Sequence, residues 1–220
     1  MIIDSKDKSK ESETLPNYDS VIARNPPPPA PVVYSFTSWA QNSMLLMPPR
    51  DAPIQQPLYR ITVDLDLNPF LPVSYVTRVF RCGGNDTDLV GEFAFSLNNK
   101  RAVLSMGDMA TRLAKALFSI NSSPRHFNWS LRNRLHWDCR ETLEDGSPMC
   151  ICYLPPPSTS RSSRSPANPT ESIQIATFVP PPPDRSPPVP DATLTVFPYG
   201  HRIMDEIIVS ALVVERMLNR

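Results

Sequence analysis

The chain has 220 residues, with 22 lysines and arginines balanced by 22 aspartates and glutamates, and 27 prolines against six glycines. The neutral balance gives no reason to expect a nucleic-acid-binding protein, and the length suits one domain with tails. Residues 1–13 are charged and have no apolar stretch, which excludes a secretory signal there. We therefore expect an intracellular protein, cytoplasmic or nuclear, whose cysteines are reduced thiols.

The N-terminal segment, residues 1–31, is polar and then rich in proline, which predicts a disordered tail. Within it, Leu15, Pro16 and Tyr18 form a Leu-Pro-x-Tyr motif of the kind that WW domains bind. The proline run at 26–29 favours the extended helix that SH3 and WW domains recognise. The tail therefore predicts a WW or SH3 domain as partner, although motifs this short also arise by chance.

Alternating apolar and polar residues predict strands after residue 31. In the segment 58–67 one face carries Tyr59, Ile61, Val63, Leu65 and Leu67, which we expect to point inward. Segments 74–82 and 89–97 follow, joined by a hairpin signal at 83–86. The other candidates bring the number of strands to eleven: 32–38, 44–47, 102–106, 127–131, 135–139, 149–154, 173–179 and 193–197.

Three further features complete the chain order. The aromatic-rich segments 127–131 and 135–139 are predicted to pair across the turn 132–134. A second, short helix is predicted within 108–119. The proline-rich stretches 155–170 and 180–190 are interpreted as long loops inside one domain, 32–220, because the final segment of the chain still needs the earlier strands around it.

That final segment predicts a buried helix. Residues 207–214 are apolar on every side except for Ser210, and such a helix must be surrounded by protein or lipid. A run of eight residues between charged neighbours is too short for a bilayer, which needs about 18 or more apolar residues. The residues expected in the core are Ile207, Ile208, Ala211, Leu212 and Val214.

Many antiparallel strands and one wholly apolar helix predict a mainly β fold, in which a closed β-barrel surrounds the central C-terminal helix. The alternative is a two-sheet sandwich with the helix packed on one side. That alternative requires a polar stripe along the helix, and the sequence 207–214 has none.

The segments 193–201 and 205–215, together with 43–46, 83–93 and 135–139, resemble an uncharacterised family of basidiomycete fungal domains over residues 32–220. That family is similar in turn to the tubby C-terminal, phospholipid scramblase and LURP-one-related group. The resemblance implies a tubby-like barrel threaded by a C-terminal helix. Tubby-type barrels bind phosphoinositide head groups, so it also implies a binding function, and it implies no active site.

Basic residues are concentrated between positions 100 and 134, where seven of them accompany a single acidic residue, Asp108. Arg132 and Arg134 share one predicted turn. Converging arginines and lysines bind anionic head groups, whereas scattered ones only keep a surface soluble. The residues of the predicted anion or lipid site are Lys100, Arg101, Arg125, Arg132 and Arg134.

Metal and catalytic chemistry are not predicted. His136, Cys139, Cys150 and Cys152 resemble a zinc ligand set, but His136 and Cys139 fall on opposite faces of a strand and no Cys-x2-Cys pair exists. No nucleophile elbow, phosphate loop or dinucleotide motif is present. We therefore expect no metal, cofactor or catalytic residue. The expected function is a non-enzymatic binding or adaptor module, either for anionic phospholipid at a membrane surface or as a scaffold that binds proteins through its tail.

Overall fold

Thirteen strands and one long helix make up the part of the chain described by the computed structural model, residues 27–68, 70, 73–83, 88–96, 102–121, 123–155, 172–182 and 189–219. The strands are β1 Val32–Phe36, β2 Ser43–Met47, β3 Tyr59–Asp66, β4 Ser74–Arg81, β5 Leu89–Ser96, β6 Ala102–Met106, β7 Met109–Arg112, β8 Leu117–Ser119, β9 His126–Ser130, β10 Arg134–Thr142, β11 Pro148–Leu154, β12 Ile173–Val179 and β13 Thr193–Val196. The helices are α1 Leu113–Ala116 and α2 Met204–Leu218, and a 3-10 turn, Pro198–Ile203, leads into α2.

All thirteen strands belong to one antiparallel sheet, in the order β7-β6-β5-β4-β3-β2-β1-β13-β12-β11-β10-β9-β8. Each half of the sheet is a series of neighbouring hairpins, and the halves meet where β1 pairs with β13. The predicted mainly β fold with a C-terminal helix is confirmed. The sheet is not closed by hydrogen bonds, however, because among the described residues β7 and β8 are edges that do not pair with each other.

The segment between the two edges corrects one prediction. A helix was expected within 108–119, but only the four residues of α1 are helical, between the short strands β7 and β8. Gly107, at φ +58°, turns the chain so that β7 pairs with β6, and β8 then pairs with β9. Pairing satisfies backbone groups of β6 and β9 that would otherwise be exposed. Two additional strands therefore replace most of the expected helix.

Helix α2 is buried on all sides. Residues 207–214 are each at most 3% exposed. On one side, Gly91 of β5 lets α2 come close, because a Cβ there would lie 3.3 Å from Val209 Cγ2 and 2.9 Å from the carbonyl oxygen of Ser105. On the other side, Trp137 Nε1 donates a hydrogen bond to Ser210 Oγ at 3.2 Å. The helix thus contacts both halves of a single sheet, which is not the arrangement of the two-sheet sandwich.

No helix in the described part of the chain combines the length and the apolar character needed to cross a bilayer. The five residues expected in the core, Ile207, Ile208, Ala211, Leu212 and Val214, all lie in the buried part of α2.

The inward face of β3 was predicted correctly, but the burial of its far end was not. Tyr59 lies against Asp205 at the start of α2, and Val63 lines a cavity with Asn219, just after its end. Leu65 and Leu67 lie further along, beyond the helix, and are 46% and 68% exposed. Leu65 and Leu67 continue the alternating pattern of β3, but α2 does not extend far enough to cover them.

Candidate functional site

The N-terminal end of α2 is held by a buried carboxylate. Glu206 is 3% exposed, and its Oε1 accepts hydrogen bonds from Trp129 Nε1 at 2.8 Å and from the backbone N–H groups of Arg132 and Asn133, both at 3.0 Å. Oε2 accepts a further bond from the side-chain amide of Asn133. A carboxylate in the first turn also suits the positive end of the helix dipole. Glu206 therefore fastens the β9–β10 turn to the start of the helix.

A second carboxylate strengthens the same end. Tyr59 donates from its hydroxyl to Asp205 Oδ1 at 2.7 Å, and Arg81 pairs with the same carboxylate and with Asp88. Burial, together with the negative charge of Asp205, raises the pKa of Tyr59 far above its ordinary value. The polar groups at the N-terminal end of α2 are hydrogen-bonded or ion-paired with one another, so we assign them the structural role of holding the helix against the sheet.

The predicted anion site is only partly brought together. Lys100 and Arg101 lie outside the described residues. Arg132 and Arg134 share the β9–β10 turn, as predicted, but Arg132 Nη2 donates to the carbonyl oxygen of Met106 and to Asp108 Oδ1, both at 3.3 Å. Arg125 lies just before the first residue of β9, about 17 Å from the β9–β10 turn at about 3.3 Å per residue. It donates a hydrogen bond to Thr142 Oγ1. Arg134 is exposed.

The histidine and cysteine residues considered as zinc ligands lie on opposite faces of the sheet. His136 is half-buried on the outer face, where its ring contacts that of His126, while Cys139, Cys150 and Cys152 are fully buried inside. The hydrogen bond that the Cys139 thiol makes to Cys150, together with burial, raises the pKa of Cys139, so this thiol stays protonated and unreactive. Within the described ranges, no three histidine, cysteine or acidic side chains form a metal-binding group.

The C-terminal end of α2 has a different character, because a cavity of about 520 Å³ opens there. Its wall comes from β1, the loop after it, the loop before β13, and α2. The lining residues are Phe36, Thr37, Ser38, Trp39, Met44, Phe178, Pro181, Val189, Pro190, Asp191, Ala192, Leu212 and Glu215. Small-molecule sites have volumes of about 300–1,000 Å³ and mainly apolar walls with a few polar groups, and this cavity has both properties.

Aromatic side chains shape this cavity. Phe36 and Phe178 are almost fully buried and pack edge to face, with ring centroids 5.8 Å apart. Trp39 is 49% exposed, and it also lines a smaller neighbouring cavity of about 100 Å³. The two cavities share Trp39, Met44, Leu212 and Glu215. Together they form one opening, which we call the α2 mouth.

Glu215 is the most unusual residue of the α2 mouth. It is half-buried, and burial raises its pKa, an effect opposed by the positive charge of Arg216. No hydrogen bond or ion pair to its carboxyl is found among the described residues. It also lies in the last turn of α2, where the negative end of the helix dipole disfavours another negative charge. Unlike Glu206, it has no structural partner.

Sequence reasoning missed the α2 mouth. Glu215 was interpreted only as a charged boundary of the apolar run, and Trp39 and Asp191 lie in loops that carry no periodic signal. One clue was present, because an acidic residue directly after an apolar helical run, in its last turn, contradicts the preference for basic residues there.

A protein-family model matches most of the chain. A model of the family of unknown function DUF6593 matches residues 48–220. The chain belongs to this family. Its match includes α2 and every strand from β3 onward, so the expectation of an uncharacterised family is confirmed. No curated protein and no solved structure matches the chain.

Proposed function

We propose that this chain is a non-catalytic binding module whose ligand, a small and mainly apolar molecule, occupies the α2 mouth. The observation that supports the proposal is the 520 Å³ cavity with aromatic and aliphatic walls and a carboxyl group without a partner. The carboxyl of Glu215 makes no hydrogen bond to the described residues, so it is available to a ligand in the cavity.

The absence of catalysis is part of the proposal. The residues that line the cavity include no histidine, cysteine or lysine, and its hydroxyl and carboxyl groups, those of Ser38 and Asp191 among them, form no nucleophile–base–orienting triad. The buried thiols and the His126–His136 contact belong to β9, β10 and β11, whereas the cavity is lined from β1, β2, β12 and α2. Binding is therefore the activity that the cavity can support by itself.

Fluorescence of Trp39 tests the proposal. Trp39 is half-exposed in the α2 mouth, while Trp129 and Trp137 are fully buried, so a quencher that enters the cavity should act mainly on Trp39. We expect a brominated short-chain hydrocarbon to quench the fluorescence of Trp39 in a saturable way. Ala192→Phe should fill the cavity and abolish quenching, whereas Val33→Phe, at a 49% exposed position on β1, should not. Equal, non-saturating quenching of all three proteins would reject the proposal.

We also propose that the sheet surrounds α2 as a barrel, with the gap between the edge strands β7 and β8 closed by side-chain and turn contacts. The likeness to basidiomycete domains and to the tubby and scramblase group implies such a barrel. Three contacts support this: α1 joins edges β7 and β8 directly, it buries Leu113 and Ala116, and Arg132 reaches from the β9–β10 turn to the β6–β7 turn. An experimental structure in which β7 and β8 lie far apart would contradict the proposal.

Binding of anionic phospholipid head groups is a second candidate, favoured by the exposed position of Arg134 beside Arg132. Because Arg132 already pairs with Asp108, the sharper variant is Arg134→Glu, with Arg125→Glu at the far end of β9 as its control. We expect binding to phosphoinositide liposomes that weakens as salt rises and that only Arg134→Glu reduces. Equal binding by both variants and the unmodified chain would reject this candidate.

Recruitment of a WW or SH3 domain through Leu15, Pro16 and Tyr18 is a third candidate. These residues lie outside the described part of the chain, and the candidate rests on their motif and on the prolines that follow. It is compatible with the expected intracellular location. A pull-down by WW domains that persists unchanged with Tyr18→Ala would reject it.

A further inference from the structure

The charged residues of the larger cavity are all acidic. Two of its thirteen lining residues, Asp191 and Glu215, carry carboxyl groups, and none is lysine, arginine or histidine. Asp191 is exposed and accepts one long hydrogen bond, 3.4 Å, from Ser38 Oγ. Arg216 lines the smaller neighbouring cavity and not the larger one. The wall therefore presents negative charge to a ligand.

Glu215 is more than a member of an acidic pair, because it is half-buried, lines both cavities and makes no hydrogen bond to the described side chains. Burial disfavours an ionised carboxylate, and the positive charge of Arg216 on the side of the smaller cavity opposes that effect only in part. A cation bound in the larger cavity would add a counter-charge on that side, where no basic residue lines the wall. A bound anion would place two negative charges together.

Two further features favour a cation at this place. The last carbonyl groups of α2 have no helical partners, apart from Glu215 O, which accepts from the backbone N–H of Asn219, and they give the helix end a partial negative charge. The cavity is also lined by the rings of Trp39, Phe36 and Phe178. Aromatic faces attract organic cations, and quaternary ammonium groups are bound in this way by aromatic cages.

We propose that the ligand of the α2 mouth is an organic cation with apolar substituents, an alkylammonium compound, held between the carboxyl of Glu215 and the aromatic wall around Trp39. This inference rests on the proposed function and narrows its ligand class. The cavity volume of about 520 Å³ admits a compound with a short alkyl chain.

Isothermal titration with three probes of equal chain length tests the charge preference: hexyltrimethylammonium, hexanol and hexanoate. We expect the cation to bind at least about tenfold more tightly than the alcohol and hexanoate to bind most weakly. Glu215→Gln should remove the advantage of the cation and leave hexanol binding unchanged. Glu141→Gln, an exposed carboxyl on β10, should change nothing.

The outcomes separate this inference from the proposed function. Equal binding of all three probes would overturn the cation preference and leave the apolar site standing, whereas failure of every probe to bind the unmodified chain would overturn both. If Glu215→Gln does not fold, Trp39→Leu, at a 49% exposed position, provides the test: a preference for the cation over hexanol that is the same as in the unmodified chain would count against the inference.

A second arm identifies the source of the cation. Phosphatidylcholine vesicles carry the same quaternary ammonium group as the soluble probe. Displacement of hexyltrimethylammonium by these vesicles, but not by vesicles of phosphatidylglycerol, would support a lipid head group as ligand. Retention of the soluble probe in the presence of both vesicles would support a free amine.

Discussion

Replacing Glu206 by glutamine should destabilise the protein strongly, because this one carboxylate satisfies four donors. They are the indole N–H of Trp129, two backbone N–H groups of the β9–β10 turn, and the side-chain amide of Asn133. A glutamine keeps one oxygen but turns an NH₂ group toward donors. Hydrogen bonds to a charged acceptor contribute about 1.5–3 kcal/mol each, and a donor left unsatisfied in the interior costs about 1–3 kcal/mol.

The expected loss is about 2–4 kcal/mol of unfolding free energy, from weaker bonds to a neutral acceptor and from a donor left unsatisfied. Most domains have a total of about 5–15 kcal/mol, so the variant should unfold at a clearly lower urea concentration. The fluorescence of Trp129 and Trp137 reports the transition. Glu215→Gln is the matched control on the same helix and should lose nothing. A loss below about 1 kcal/mol for Glu206→Gln would refute the role of Glu206 as an anchor.

Three further predictions concern packing and pH. Gly91→Ala should destabilise by about 1–3 kcal/mol in urea unfolding, because its new Cβ would lie 2.9 Å from a backbone oxygen and 3.3 Å from Val209, and full stability of this variant would contradict the close approach. Burial raises the pKa of Glu215 in the folded chain above its unfolded value of about 4.3. The folded state therefore has its full stability below that pH, where the carboxyl is protonated, and loses stability as pH rises through the folded pKa. Glu215→Gln should melt at a higher temperature than the unmodified chain at pH 7 and at the same temperature at acid pH. Burial and the neighbouring His126 lower the pKa of His136, so the protein should lose stability as pH falls below about 6.5, and thermal melts of His136→Gln should show a smaller loss.

Much of the fold could be predicted because its signals are local. Period-two alternation located eleven of the strands in the described sheet, and the apolar run 207–214 located α2. The short strands β7 and β8, of four and three residues, could not be predicted in this way. Too few residues alternate in them, and they form because neighbouring strands offer backbone partners.

The candidate site could not be predicted, for a related reason. Trp39 and Asp191 are 152 positions apart in the chain (191 − 39) and line one cavity only because β1 pairs with β13. Charge counting suggested a basic site between residues 100 and 134, but spacing along the chain does not show that Arg132 is paired with Asp108 or that Arg125 lies at the far end of a strand. A surface site depends on register and side-chain direction, which composition does not contain.

The two glutamates of α2 differ in their surroundings and in the roles that we assign to them. Glu206 lies in the first turn, where the helix dipole favours a negative charge, and it is fully hydrogen-bonded. Glu215 lies in the last turn, where the dipole opposes it, and burial without a partner raises its pKa. Departures from local rules are expected at functional or strained sites. The same helix obeys the rule at one end and breaks it at the other, and the ligand that we propose for the α2 mouth would account for the departure at Glu215.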